Sequence, residues 1–286
     1  MTKLERIGVV GGGLMGSGIA EVCARSGLDV IVSEAGPDLA SAARARIEAS
    51  VRRGLDKGKL TADEADAAGQ RLRVVSGIAE LADRQLVIEA ATENEQIKLA
   101  LFADLDRTVT DPQAILASNT SSIPIARLAA ATTRPESVVG MHFFNPATVQ
   151  KLVEVIPSLL TSEQTVQRVS ELATSVLGKT VVRAKDRAGF VVNALLVPYL
   201  LSAIRMVEAG HASAEDVDNG MVLGCAHPMG PLALTDLVGL DTTLAVAESL
   251  HAEYAEPHLA PPPLLRRMVQ AGLLGRKSGR GFYRYD

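Results

Sequence analysis

Within MHFFNPATVQKLVEVI, residues 141–156, an imidazole and a carboxylate interrupt a mostly apolar stretch: His142 and, 12 residues on, Glu154. A lone His in such a run is more often a hydrogen-bonded core residue. The Glu is harder to dismiss, because an ionised group without a partner is strongly disfavoured in an apolar interior. Each can satisfy the other, with Glu154 accepting the Nδ1 proton and Nε2 left to exchange a proton with a third molecule. A neutral imidazole held this way suits removal of a hydroxyl proton as a hydride departs. A second polar cluster, ASNTSS at 117–122, gathers Ser118, Asn119, Thr120, Ser121 and Ser122. Such density serves either as a helix cap or as hydroxyls that hold a substrate oxygen, and spacing alone does not choose.

VVGGGLMGSG places Gly11, Gly13 and Gly16 in G-x-G-x-x-G spacing after a β-branched run. Such glycines permit a tight turn, close backbone approach to a pyrophosphate, and close helix-on-sheet packing, while the helix N-terminus offers unpaired N–H groups to phosphate. Alone the motif is weak, since a strand–helix turn needs no ligand. Glu34 strengthens it, falling 18 residues after Gly16 at the end of the second run, where an acid can accept from ribose hydroxyls. A carboxylate there repels a 2′-phosphate, and the following AGPD supplies no Arg to attract one, so NAD is expected rather than NADP. EAATENEQIK, after the fourth run, makes Glu93 and Lys98 candidates for cofactor or substrate contacts, although lone charges on a loop are more often simply solvated.

The elements that position these groups read as follows. RIGVV (6–10), DVIVS (29–33), LRVV (72–75), QLVIEAA (85–91), AILAS (114–118) and VVGMHF (138–143) are continuous apolar runs, which suits parallel strands covered on both faces. Helical segments lie between them, such as 37–54, with Pro37 near its start, and 95–109. The alternation predicts a doubly wound α/β domain with a mostly parallel sheet. After the polar Lys185–Arg187 the β-branched runs cease and long apolar-periodic segments follow, so the expected domains are 1–186, α/β, and 187–286, all-α. APPPLL at 260–265 reads as a rigid connection between late helices.

Composition excludes several functions. Two domains are expected of 286 residues. A net charge of −4, with no Trp, four Tyr and five Phe, gives no reason to expect a nucleic-acid partner. Cys23 and Cys225 stand far apart and read as reduced, buried thiols of a cytosol-like compartment; no metal site is expected. The run 7–20 is dominated by regularly placed glycines and is not read as a secretory leader. AGFVVNALLVPYLLSAI, 188–204, is short for a membrane span and holds Asn193 and Pro198, so it is expected to be a buried core or interface helix. A soluble, cytoplasmic protein without a membrane partner is expected.

HFFNP, KLVEVI, SNTSS, GFVVNALLVPYL, PMGPLALTDLVGLDT and the tail GRKSGRGFYRY together resemble the L-3-hydroxyacyl-CoA dehydrogenase family, near its short-chain members acting on 3-hydroxybutyryl-CoA. The resemblance runs from the glycine loop to the tail, and HFFNP with SNTSS is far more specific than the glycines. It implies a Rossmann-type domain that binds NAD, an acyl-CoA substrate, and a homodimer formed through the helical region. It makes His142 the base, Glu154 its orienting partner, and Ser121 and Asn193 the holders of the substrate oxygen. Glu93, Lys98, Asn119 and Asn145 match positions near the cofactor, and Ser50 and Lys57 match positions that contact coenzyme A. The family commonly has Asp where this chain has Glu34, which loosens the inference of strict NAD use. Independently, Arg44, Arg46, Arg52, Arg53, Lys57 and Lys59 outnumber Glu48 and Asp56 by +4 between residues 44 and 59. That stretch is either a solvated helix face or an attraction for a phosphate-bearing handle. Three other readings stay open: a dehydrogenase for a longer or dicarboxylic substrate such as 3-hydroxyadipyl-CoA, an oxidoreductase on a free hydroxy or sugar acid such as gulonate, and a non-catalytic NAD-binding structural or regulatory protein.

Overall fold

The β-branched runs of the first half become strands in the computed structural model, which describes residues 3–285. They are β1 (Arg6–Val10), β2 (Asp29–Glu34), β3 (Leu72–Ser76), β4 (Leu86–Glu89), β5 (Ile115–Ser118) and β6 (Val138–Phe143). β7 (Leu152–Pro157) and β8 (Thr180–Arg183) complete an eight-stranded sheet of order β3-β2-β1-β4-β5-β6-β7-β8. Neighbours are parallel except β6 and β7, which run antiparallel. No strand is expected over TVVR at 180–183, a short segment with no buried residue. Its pairing with β7 supplies what the local pattern lacks.

Successive side chains of a strand point to opposite faces, and both faces are covered. Ile7 and Val9 of β1, Val139, Met141 and Phe143 of β6, and Val153 and Val155 of β7 join one apolar cluster. His142 and Glu154 therefore fall on the opposite face. The strand order reverses between β1 and β4, and in such sheets ligands bind in the crevice outside the carboxyl ends at that point.

Helices α1 (Leu14–Arg25), α2 (Pro37–Asp56), α3 (Ala62–Gln70), α4 (Glu95–Thr108), α5 (Ile125–Ala130) and α6 (Glu163–Glu171) complete this unit, Met1–Asp186. Local chemistry sets where they start. Pro37 opens α2 after Gly36, and a reciprocal Thr61–Glu64 capping box opens α3. Asn94 opens α4, its Oδ1 accepting the Ile97 N–H at 3.1 Å.

The second unit, Arg187–Asp286, is helical: α7 (Val192–Glu208), α8 (Ala214–Cys225), α9 (Pro231–Val238), α10 (Leu240–Tyr254) and α11 (Pro263–Gln270). Leu201, Ile204, Leu232, Val246, Ala247, Leu250 and Leu265 form its core. Two buried carboxylates tie it together. Asp218 accepts from the N–H groups of Leu232 and Ala233, at the start of α9, and from the Tyr283 hydroxyl. Asp236 accepts from the Phe282 and Tyr283 N–H groups and the Tyr285 hydroxyl. Burial and these acids raise both phenols, Tyr285 to about 12.

The expectation of two buried thiols holds for Cys23 alone, whose thiol is pushed up to about 12 by burial against the opposing pull of Lys179. Cys225, the last residue of α8, is exposed, because the end of that helix leaves its thiol open to solvent. Among the described residues no helix is long and apolar enough to cross a membrane.

Candidate active site

The antiparallel register of β6 and β7 sets His142 directly opposite Glu154. Side chains so paired share a face and lie within contact distance. His142 Nδ1 is 2.7 Å from Glu154 Oε2, and both residues are buried, Glu154 completely. An ionised carboxylate only accepts, so Nδ1–H donates, which makes Nε2 the acceptor of the neutral ring. The Phe144 ring lies 4.6 Å from the imidazole, centroid to centroid. Because β6 runs parallel to β5, His142 reaches the carboxyl edge of the sheet, the edge that also carries the loops after β1, β4 and β5.

The β4 and β5 loops are locked together by a network of charges. Glu89, the last residue of β4, is fully buried; its carboxylate accepts from Lys98 Nζ at 2.6 and 2.7 Å, Ser118 Oγ at 2.6 Å and the Ala91 N–H at 2.7 Å. Lys98, one turn into α4, is equally buried and also lies 3.5 Å from Glu93 Oε2. Glu93 Oε1 then accepts from Thr120 Oγ1 at 2.5 Å, from the N–H groups of Ser121 and Ser122 at 2.9 and 3.1 Å, and from Ser122 Oγ at 2.9 Å. Burial opposes ionisation of Glu93, but Lys98 and these donors outweigh it and hold the carboxyl below its ordinary value. The Ser121 hydroxyl stands 3.4 Å from the same oxygen. Asn119 bridges to the histidine strand, its Oδ1 accepting the Phe143 N–H at 2.8 Å.

At the β1 loop, Gly11 has φ +90°, and a Cβ there would come within 2.8 Å of the Ala90 carbonyl. A Cβ on Gly16 would collide with the Gly11 carbonyl oxygen, whereas one on Gly13 meets nothing within 4 Å. Gly13 is the N-cap of α1, which has neither a side-chain cap nor an acid in its first turn. Glu34 ends β2, and its Oε1 accepts the Gly12 N–H at 2.6 Å. Open space over Gly13, an uncapped helix N-terminus and an adjacent carboxylate fit a dinucleotide: phosphates at the α1 N–H groups, ribose at Glu34.

The first unit thus brings His142, Glu154, Asn119, Ser121, Glu93 and Lys98 to the carboxyl edge of the sheet, the edge that also carries the glycines and Glu34. Lys98 is the exception in kind, acting from beneath Glu93 with its ammonium shielded from solvent. Asn145 is exposed just after β6, preceding a cis peptide bond to Pro146. On α2, Ser50 is half-buried and Lys57 is the exposed C-cap. Asn193, half-buried, is the second residue of α7 in the other unit.

Two residues escaped sequence reasoning. Glu89 has the signature that exposed Glu154, an acid closing an apolar run, and the same demand for a partner would have found it. Arg46, whose Nη1 donates to the Gly12 carbonyl at 2.5 Å, lies in the basic 44–59 stretch with nothing in its spacing to single it out.

Comparison with known proteins identifies the family. Residues 6–187 match the sequence profile of the 3-hydroxyacyl-CoA dehydrogenase NAD binding domain, and residues 189–285 match that of the 3-hydroxyacyl-CoA dehydrogenase C-terminal domain. The chain belongs to the 3-hydroxyacyl-CoA dehydrogenase family. It is 58% identical over 282 residues to a 3-hydroxybutyryl-CoA dehydrogenase of Mycobacterium tuberculosis, covering 99% of each chain. The crystal structure of M. tuberculosis FadB2 matches it with a TM-score of 0.99 at 58% identity, covering 100% of both chains. That of (S)-3-hydroxybutyryl-CoA dehydrogenase PaaH1 from Ralstonia eutropha matches with a TM-score of 0.93 at 44% identity, covering 99% of this chain and 100% of the other. As a member of the 3-hydroxyacyl-CoA dehydrogenase family, the chain has NAD as its cofactor, and its first unit is the domain that binds it.

Proposed function

We propose that the protein catalyses the reversible NAD-dependent oxidation of a short-chain L-3-hydroxyacyl-CoA, 3-hydroxybutyryl-CoA above all, to the 3-ketoacyl-CoA. The 2.7 Å bond between His142 and Glu154 at the carboxyl edge of the sheet carries this reading. When bound, NAD⁺ supplies the hydride acceptor. His142 Nε2 takes the C3 hydroxyl proton, and Glu154 compensates the charge that the ring acquires. Ser121 holds the substrate oxygen. Glu93, over Lys98, keeps the Ser121 loop in place, and Asn119 and Asn145 line the cofactor side. In the reverse direction His142 returns the proton to the forming hydroxyl oxygen. Ser50 and Lys57 take the coenzyme A handle, drawn by the basic stretch of α2. The exposed Leu195 of α7 and Leu223 of α8, 74% and 83% accessible, give a homodimer an apolar face on the helical unit.

A kinetic series tests the substrate: acetoacetyl-CoA, longer 3-ketoacyl-CoAs, 3-ketoadipyl-CoA and free acetoacetate, each with NADH. Acetoacetyl-CoA is expected to have the highest kcat/KM. Faster turnover of the dicarboxylic or longer thioesters reassigns the chain length, and equal turnover of the free acid removes coenzyme A from the reading. Sedimentation as a monomer at micromolar concentration removes the dimer.

A further inference from the structure

The two polar groups of Gly12 are held by opposite charges. Its N–H donates to Glu34 Oε1 at 2.6 Å, while its carbonyl accepts from Arg46 Nη1 at 2.5 Å and from Ser17 Oγ at 2.7 Å. The contact is possible because α2 crosses the glycine loop closely; a Cβ on Gly12 would run into that of Ala43. Arg46 is otherwise exposed, and among the described residues it forms no ion pair, not even with Glu34. A guanidinium has five N–H donors in a planar fork that matches phosphate, and the Gly12 carbonyl occupies one of them. A cation with spare donors therefore stands beside the ribose-binding carboxylate. The segment just after Glu34, from Ala35 to Asp38, lacks any such cation.

We propose that Arg46 is a standing site for the 2′-phosphate of NADP(H), held shut by Glu34, so that this pair sets the choice between the two nucleotides. The inference rests on the reading that the glycine loop and Glu34 receive the adenosine end of the cofactor. A 2′-phosphate carries about −1.5 to −2 charges near neutral pH, so Glu34 repels it and Arg46 attracts it. NAD(H), lacking that group, uses the carboxylate and draws no advantage from the guanidinium. Selectivity against NADP(H) then resides in one charge, and removing it exposes a receptor already in place.

Equilibrium titration of NADH and NADPH, followed by nicotinamide fluorescence, tests this without any acyl-CoA. The proteins are the wild type, Glu34→Gln, Arg46→Gln and the double variant, with melting temperatures as a check on folding. Glu34→Gln keeps a carbonyl oxygen for the Gly12 N–H, and Glu34→Ser serves if the Gln variant does not fold. Glu34→Gln is expected to tighten NADPH relative to NADH by about 10–100-fold, the size of a partly screened charge–charge contact. Most of that gain is expected to vanish in the double variant, and added salt is expected to shrink it. An undiminished gain in the double variant, or no gain in either Glu34 variant, overturns the proposal. So does an equal loss of NADH and NADPH in Arg46→Gln, which would put the guanidinium on the shared pyrophosphate. In each of these cases a weakened NADH Kd in Glu34→Gln still upholds the adenosine-end reading, whereas unchanged affinities in every variant bring that reading down as well.

Discussion

Two buried acid–base pairs stand on the same sheet and do opposite work. His142 and Glu154 join neighbouring strands through a 2.7 Å contact, and one partner is an imidazole, whose second ring nitrogen can take or give a proton. Glu89 and Lys98 join a strand to a helix through contacts at 2.6 and 2.7 Å, backed by Ser118 and the Ala91 N–H. In the proposed mechanism the first pair passes a proton on, whereas the second ties the β4 strand to α4 beside the Glu93 and Ser121 loops. The difference lies in the chemistry of the carboxylate's partner, an imidazole in one pair and an ammonium in the other, not in depth of burial.

Removing the mobile member gives the largest effect. His142→Ala is expected to lower kcat about 10²–10⁴-fold, the loss typical of a positioned general base, with little change in melting temperature. Near-normal turnover in a folded variant would make His142 a core histidine after all. Removing the fixed member reverses the pattern. Lys98→Met strands the Glu89 charge in the interior and is expected to cost about 3–5 kcal/mol of stability, read from denaturant unfolding. The double variant Glu89→Leu/Lys98→Met is expected to recover most of that stability while activity stays low, because the Glu93 and Ser121 loops lose their anchor. Full recovery of both would reduce the second pair to packing.

The smallest effect lies beside the second pair, at Glu93, and is read by pH. The Glu93 carboxyl sits below its ordinary value of 4.5 in the folded chain, so its contribution to stability is full above that pH. It is lost as pH falls through the depressed folded value, when protonation undoes the bonds from Thr120, Ser121 and Ser122. Glu93→Gln is therefore expected to flatten the acid side of a stability–pH curve and leave the neutral region unchanged in slope. An unaltered acid limb would detach Glu93 from the lock on the Ser121 loop.

Much of this was legible in the linear chain. Apolar runs with glycine punctuation announced the doubly wound sheet, because strands covered on both faces must be apolar throughout. Glu154 was legible as a residue in need of a partner, and the spacing of Gly11, Gly13 and Gly16 pointed to a turn against a helix N-terminus. β8 was not legible, being short and half-buried, nor was the role of Lys98, which local sequence presents as a solvated helix residue. Cys225 was misjudged because exposure depends on which helix face finds a neighbour.

By itself the sequence determined the fold class, the cofactor loop and the presence of two ionisable groups that an apolar strand cannot carry unpaired. These follow from local periodicity and from the cost of burying charge, which any segment feels wherever it lies. Only the tertiary structure decided which charge meets which: the antiparallel register that joins His142 to Glu154, the strand–helix contact that gives Lys98 to Glu89, and the crossing of α2 that brings Arg46 onto Gly12. Such pairings join residues 9 to 34 positions apart, and their distances are set by packing that no single segment contains.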